Sequence, residues 1–190
     1  MKIIAVNGSP RKGGNTDLLL DEVLGIIKRN QIETETIFLR DYELQPCDAC
    51  GYCREHPGKC HIKDDFAPIF EKSLSAEGII LATPVYFGSA TPSIKAFIDR
   101  VGYVARHMES SLERKIGAAV VVARRAGHNF TLAQLYFFFT IFGMVIASSP
   151  HYWTIAFGNQ KGQVTSDEEG MITMRKLAEN IVWLTKKLHS

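Results

Sequence analysis

Five short apolar runs, at Lys2–Val6, Thr34–Leu39, Gly78–Ala82, Ile116–Ala123 and Met144–Ala147, alternate with five longer segments of helical character. The latter are Thr16–Asn30, Phe66–Leu74, Ser93–Arg106, Thr131–Phe142 and Asp167–His189. Leu18, Leu19, Val23, Ile26 and Ile27 recur close to a 3.6-residue period in the first. Ile172, Leu177, Ile181, Leu184 and Leu188 form one stripe in the last, with Lys186 and Lys187 near its C-terminal end, where cations suit the helix dipole. Gly143 fits the position just past the end of the fourth helix. Strands that are apolar throughout, each followed by a helix, predict a parallel sheet covered on both faces. Five such units fit a three-layer α/β fold with the flavodoxin-like strand order 2-1-3-4-5. A chain of 190 residues suits a single domain, 1–190, and its 46% hydrophobic content excludes disorder.

One stretch breaks the alternation. Residues 40–65 carry no periodicity and are long for a loop in a compact fold, so a functional insertion is expected there. All four cysteines of the chain, Cys47, Cys50, Cys53 and Cys60, fall inside it. The net charge of +2 gives no reason to expect nucleic acid. The apolar run at the N-terminus is too short for a signal peptide core. The most apolar stretch, Leu132–Ala147, is interrupted by Gln134, Thr140 and Gly143 and falls short of a membrane span. The expectation is a cytoplasmic protein without a membrane partner, where clustered thiols point to metal or redox chemistry rather than to disulfides.

The segment from Asn7 to Thr16 follows the first strand and opens the first helix. Parallel sheets bind ligands at the carboxyl ends of their strands, and helix N-termini bind anions. Ser9, Gly13, Asn15 and Thr16 offer neutral donors there, and Arg11 and Lys12 add positive charge. Gly14 is followed by Asn15-Thr16 rather than by lysine and a hydroxyl residue, which excludes a Walker A loop. The Gly-x-Gly-x-x-Gly fingerprint of dinucleotide sites is also absent. A single terminal phosphate, as on a mononucleotide, is the favoured ligand. The bland alternative is a polar loop with an N-cap at Asn15 or Thr16.

Ser-Pro-Arg-Lys-x-Gly-Asn-Thr, from Ser9 to Thr16, resembles the FMN phosphate loop of the NADPH-dependent FMN reductases and the related iron–sulfur flavoproteins. The loop after the third strand, Pro84-Val85-Tyr86-Phe87-Gly88, places two aromatics beside the same crevice, and its continuation to Asp99-Arg100 resembles that family's flavin loop. The resemblance implies that backbone from Pro84 to Gly88 cradles the isoalloxazine ring. It also implies a loop against the flavin after the fourth strand, here Arg124 to Asn129, with Arg125 and Gly127 as contacts. Asp99 and Arg100 read as structural residues at a helix end, His128 as a solvated loop residue, and His151-Tyr152-Trp153 as packing at the end of the fifth strand.

The cysteines follow C-x2-C-x2-C-x6-C. Three thiols at this spacing can curl around one corner of a cubane, as in ferredoxins, and Pro57-Gly58 lets the chain return with the fourth. The same thiols could instead be free and redox-switching, or hold zinc. The spacing resembles the compact cysteine motif of iron–sulfur flavoproteins, which implies a [4Fe–4S] cluster on Cys47, Cys50, Cys53 and Cys60. Arg54, His56 and Lys59 would then raise its potential. Three functions follow: an FMN and cluster electron-transfer flavoprotein, an NAD(P)H-dependent FMN or quinone reductase without a cluster, or a flavin-binding sensing module. A ferredoxin-like protein or a small molecule is the expected redox partner. Four phenylalanines and a tyrosine between Leu135 and Phe142 exceed what one core can bury, which predicts a homo-oligomer, dimer or tetramer, with this segment partly in the interface.

Overall fold

A computed structural model of the chain describes residues 1–189. In chain order the elements are β1 (Lys2–Asn7), α1 (Asn15–Arg29), β2 (Glu33–Phe38), a short α2 (Tyr52–Glu55), α3 (Phe66–Ser75), β3 (Gly78–Pro84), α4 (Pro92–Arg106), β4 (Ile116–Ala123), α5 (His128–Ile141), β5 (Val145–Ile146), β6 (Ile155–Phe157) and α6 (Glu168–Leu188). The strands lie in the order β2-β1-β3-β4-β5, all parallel, as the flavodoxin-like pattern requires.

Alternation along each strand explains why both faces are apolar. In β1, Ile4 and Val6 pack with Phe97 and Val101 of α4 and Leu135 and Phe139 of α5. Ile3 and Ala5 point the other way, onto Leu19 and Val23 of α1 and Leu177 and Ile181 of α6. Each such side chain removed from water contributes about 1.5–3 kcal/mol, so a charge placed at Ile4 would open one whole layer. Pro92 starts α4 with φ already set for a helix. Asp167 caps α6 by accepting from the Gly170 N–H at 3.0 Å, and its other oxygen accepts from the Phe157 N–H at 2.7 Å, which ties the helix to β6.

The fifth sheet position departs from expectation. Two strands share it: β5 pairs with the start of β4 at Ile116 and Gly117, and β6 pairs with its end from Val121 to Ala123. The chain leaves the sheet between them because Ser148-Ser149-Pro150 interrupts the apolar run. His151, Tyr152 and Trp153 lie exposed on this excursion, Trp153 with 58% of its surface free, so they do not pack at a strand end. The apolar α5 is not buried throughout: Phe138 and Phe139 enter the core, but Phe137 and Ile141 remain 72% and 62% exposed. No helix among the described residues is long and apolar enough to cross a membrane.

Candidate functional site

Loops leaving the carboxyl ends of β1, β3, β4 and β6 meet at one edge of the sheet and are bonded to each other. The Gly8 N–H donates to Ala82 at 2.8 Å, and the Thr91 hydroxyl donates to Gly8 at 2.9 Å. The Val85 N–H donates to Val122, and the Gly158 N–H to Ala123, at 2.8 and 3.0 Å.

Within the phosphate loop, Gly14 rather than Asn15 or Thr16 is the N-cap of α1, and no side chain caps the helix. Asn15 is committed elsewhere: its amide donates to Gln160 and accepts from the Val164 N–H, which fastens the loop after β6 over the start of α1. The N–H groups of Lys12, Asn15, Thr16 and Asp17 find no acceptor among the described residues. They converge at the positive end of the α1 dipole and could hold an anion. Ser9 and Thr16 are buried beneath, while Arg11 and Lys12 are exposed.

The loop is braced by residues that sequence reasoning missed. Asp17 accepts from Gly13 N and Asn7 Nδ2, both at 2.7 Å, and pairs with Arg40, whose Nη1 also donates to the Ser9 carbonyl at 3.2 Å. Arg40 reads in sequence only as the first residue of the aperiodic stretch, and Asp17 as an ordinary acid in the first turn of a helix.

In the ring loop, Tyr86 and Ser89 bond to each other through both backbone groups, closing a two-residue turn. Its central residues Phe87 and Gly88 have φ of +48° and +79°, both left-handed. Glycine accepts this freely, but a bulky aromatic does so at a cost of roughly 1–2 kcal/mol. Phe87 is fully exposed and Tyr86 is 43% exposed, so the turn presents two aromatic faces at a strained position. Gln134 of α5 secures the turn's exit by accepting from Ser89 Oγ and Ala90 N, both at 3.0 Å.

The loop after β4 packs directly on this turn. A Cβ on Gly127 would fall 2.9 Å from Val85 and 3.0 Å from the Gly88 backbone, so only glycine permits the approach. Arg124 and Arg125 beside it are exposed and form no ion pair among the described residues. His128 is not a solvated loop residue. It is the first residue of α5, its ring lies edge-on to Phe157, and its Nδ1 is buried without a partner.

The cysteine loop forms a second site. Cys47, Cys50, Cys53 and Cys60 are all unpaired and line one cavity of about 220 Å³ with Arg100 and Tyr103 of α4 and His107 just past its end. Gly51, with φ +78°, turns the chain between Cys50 and the short helix α2, which carries Cys53. Asp48 accepts from His61 Nε2 at 2.8 Å, closing the loop across its ends, and Asp48, Cys50 and His61 each bring one ligand atom within 4.8 Å of the others. Burial and the neighbouring thiols push the Cys53 thiol up. The Tyr52 N–H pulls Cys50 down, but burial, Asp48 and Cys60 outweigh it and its thiol is raised too.

Arg100 is not a helix-end residue. It sits inside α4 with its side chain fully buried, paired with Asp64, whose side chain is also fully buried. Asp99, its neighbour, makes the ordinary exposed i, i+4 pair with Lys95. Burial pushes the Asp64 carboxyl up, but the Arg100 guanidinium and the N–H groups of Gln45 and Phe66 more than compensate and hold it below the usual range. Arg54 and Lys59 are exposed, and His56 stacks on Tyr52 at a centroid distance of 4.0 Å.

Comparison with known proteins places these two sites in context. The model of the NADPH-dependent FMN reductase family matches residues 1–160. An iron–sulfur flavoprotein of Methanocaldococcus jannaschii is 38% identical, over 98% of each chain. One from Methanosarcina thermophila is 35% identical, over 95% of this chain and 93% of its own. Among solved structures, RosB with a bound riboflavin 5′-phosphate derivative superposes with a TM-score of 0.77 at 16% identity, covering 99% of this chain and 80% of that one, a likeness of fold alone.

Proposed function

Since the chain belongs to the NADPH-dependent FMN reductase family and is an FMN-dependent oxidoreductase, we propose that it also carries a [4Fe–4S] cluster and moves electrons between two-electron and one-electron partners. When bound, FMN exchanges electrons singly or in pairs and a cluster exchanges them singly. One observation carries the reading: four unpaired thiols share a cavity of about 220 Å³. A single zinc ion with Zn–S bonds of about 2.3 Å would draw four sulfurs to within about 4 Å of one another and needs no such space.

We read residues 1–190 as one FMN-binding domain. The free N–H groups of Lys12, Asn15, Thr16 and Asp17, with the Ser9 hydroxyl and the cations of Arg11 and Lys12, would hold the phosphate, and Gly13 would shape the loop around it. Backbone from Pro84 to Gly88 would cradle the ring, with Tyr86 and Phe87 as apolar walls and Arg125 and Gly127 closing the far side. No side chain is required as a nucleophile or general acid. The open face of the Gly88 turn, where a Cβ would meet nothing within 4 Å, also admits a nicotinamide donor, so NAD(P)H is one source of electrons and a ferredoxin-like protein the other. Unpaired thiols fit a reducing, cytoplasmic setting.

We also propose a homo-oligomer. A groove of about 1030 Å³ between α4 and α5 exposes Tyr103, Phe137 and Ile141, the apolar face a second copy would cover. Tyr103 lies eleven residues along α4 from Pro92, about 16 Å from the flavin end at 1.5 Å per residue. We propose that in such an assembly a neighbouring chain's cysteine loop approaches the flavin. Iron, acid-labile sulfide and flavin analysis of anaerobically purified protein tests the proposal, with about four irons per chain expected. A yellow, iron-free protein would leave only the reductase. Cys50→Ser should remove cluster absorbance and retain FMN, and Arg11→Ala should weaken FMN. Light scattering that finds a monomer would refute the oligomer.

A further inference from the structure

Arg100 is the largest fully buried side chain among the described residues, and each of its side-chain hydrogen bonds there goes to the 40–65 stretch. Nη1 donates to the Asp64 carboxylate and, at 3.2 Å, to the Gln45 carbonyl. Nη2 donates to Cys60 Sγ at 3.2 Å. The face of the guanidinium lies 4.4 Å from the centre of the Phe66 ring, and Nε is buried without a partner. Asp64 is occupied in turn by the N–H groups of Gln45 and Phe66. A charged, planar donor has therefore been taken out of water and divided between a carboxylate and one candidate ligand sulfur.

We infer that Arg100 is a positioning and tuning residue for the cluster: its guanidinium fixes Cys60 and, through the hydrogen bond to that sulfur, raises the cluster's reduction potential. The inference rests on the cluster reading above. A hydrogen bond from a fixed cation to a ligand sulfur favours the more negative, reduced form of the group it binds. The other cations expected to do this, Arg54 and Lys59, are exposed, where solvent and salt screen them. Lysine cannot replace the arginine, because one ammonium does not span Asp64 and Cys60 as a rigid fork does.

Two variants of the full-length protein, purified anaerobically, test this. Arg100→Lys keeps a charge, and the double variant Arg100→Met with Asp64→Asn removes the pair without leaving a buried carboxylate unmatched. Redox titration followed by electron paramagnetic resonance should show the cluster midpoint shifted to more negative potential in both, more so in the double variant, with the FMN midpoint unmoved. Arg54→Ala should shift it less than either. A midpoint equal to the parent's at full iron content overturns the inference. So does a variant that loses iron while the remaining clusters keep the parent's midpoint, since Arg100 would then be a strut only. If the parent itself holds no iron, the cluster reading fails separately, and the contact is read directly by nuclear magnetic resonance. Cys60→Ala should then shift the guanidinium N–H signals of Arg100, and unmoved signals overturn the contact.

Discussion

The flavin end and the cysteine loop each rest on a buried or half-buried Asp–Arg pair, but the two pairs are held very differently. Asp17 and Arg40 keep 10% and 13% of their side-chain surface exposed and stand among many backbone bonds that join four loops at the sheet edge. Asp64 and Arg100 have no exposed side-chain surface and are the principal link between a 26-residue aperiodic stretch, 40–65, and α4. One site is braced redundantly by the sheet, and the other is fastened to α4 chiefly through one buried cation, which bonds Gln45, Cys60 and Asp64, with Tyr42, Leu44 and Cys53 packed on the core. Geometry at the flavin end should therefore survive the loss of any one side chain, whereas the cysteine cavity should not.

The largest expected effect follows from that difference. Asp64→Ala leaves the Arg100 cation buried and unpaired, at a cost of about 3–5 kcal/mol. Denaturant unfolding should register this, and iron content should fall while flavin content holds. Asp17→Ala is smaller, about 1.5–3 kcal/mol, because Arg40 reaches solvent and keeps its bond to the Ser9 carbonyl. Equal losses from the two variants would break the comparison. Smaller again is Phe87→Gly, which relieves a left-handed aromatic and should stabilise the flavin-free protein by about 1 kcal/mol. The same change should weaken FMN, since it removes a fully exposed ring from the turn. A variant that is stabilised and binds FMN unchanged would deny Phe87 any role in the pocket.

Why one site was legible in the sequence and the other only half so has the same physical root. The strand runs and the five long helices follow from apolar periodicity, the strand order follows from the fold they fit, and the loops at strand ends lie where a parallel sheet must place them. The split fifth strand was lost because Ile155–Phe157 is three residues long, too short to show a period. Four cysteines at close spacing announced a cavity, and the chain does bring them around one. What fastens that cavity was hidden, since Arg100 is thirty-six positions from Asp64 and looks in sequence like any polar helical residue. Asp17 and Arg40, twenty-three positions apart, were hidden for the same reason. Periodicity reports which face of an element is apolar; it is silent about a charge that is buried because a distant partner meets it.

The smallest effect concerns acid. Glu35 of β2 accepts from Lys2 of β1 and Lys72 of α3, both at 2.6 Å, and Lys2 also reaches Glu33. These hydrogen bonds, Lys2 first, hold the Glu35 carboxyl below the usual glutamate range. A carboxylate lowered by folding stabilises the native state above its unfolded pKa, and that contribution is lost as pH falls through the folded value. Below about pH 5, the link between α3 and the sheet should therefore weaken. Helix α3 begins at Phe66, the ring beneath Arg100, so the loosening reaches the cysteine loop and not the phosphate loop. Hydrogen exchange at pH 7 and pH 4 should show protection falling around Phe66–Ser75 and the cysteine stretch while Gly13–Asp17 is unchanged. Glu35→Gln, which cannot titrate, should shrink the difference around Phe66–Ser75, while Asp64, also held low by Arg100, keeps its own acid response in the cysteine stretch. Equal loss of protection at both sites would mean that the two regions share one anchor after all.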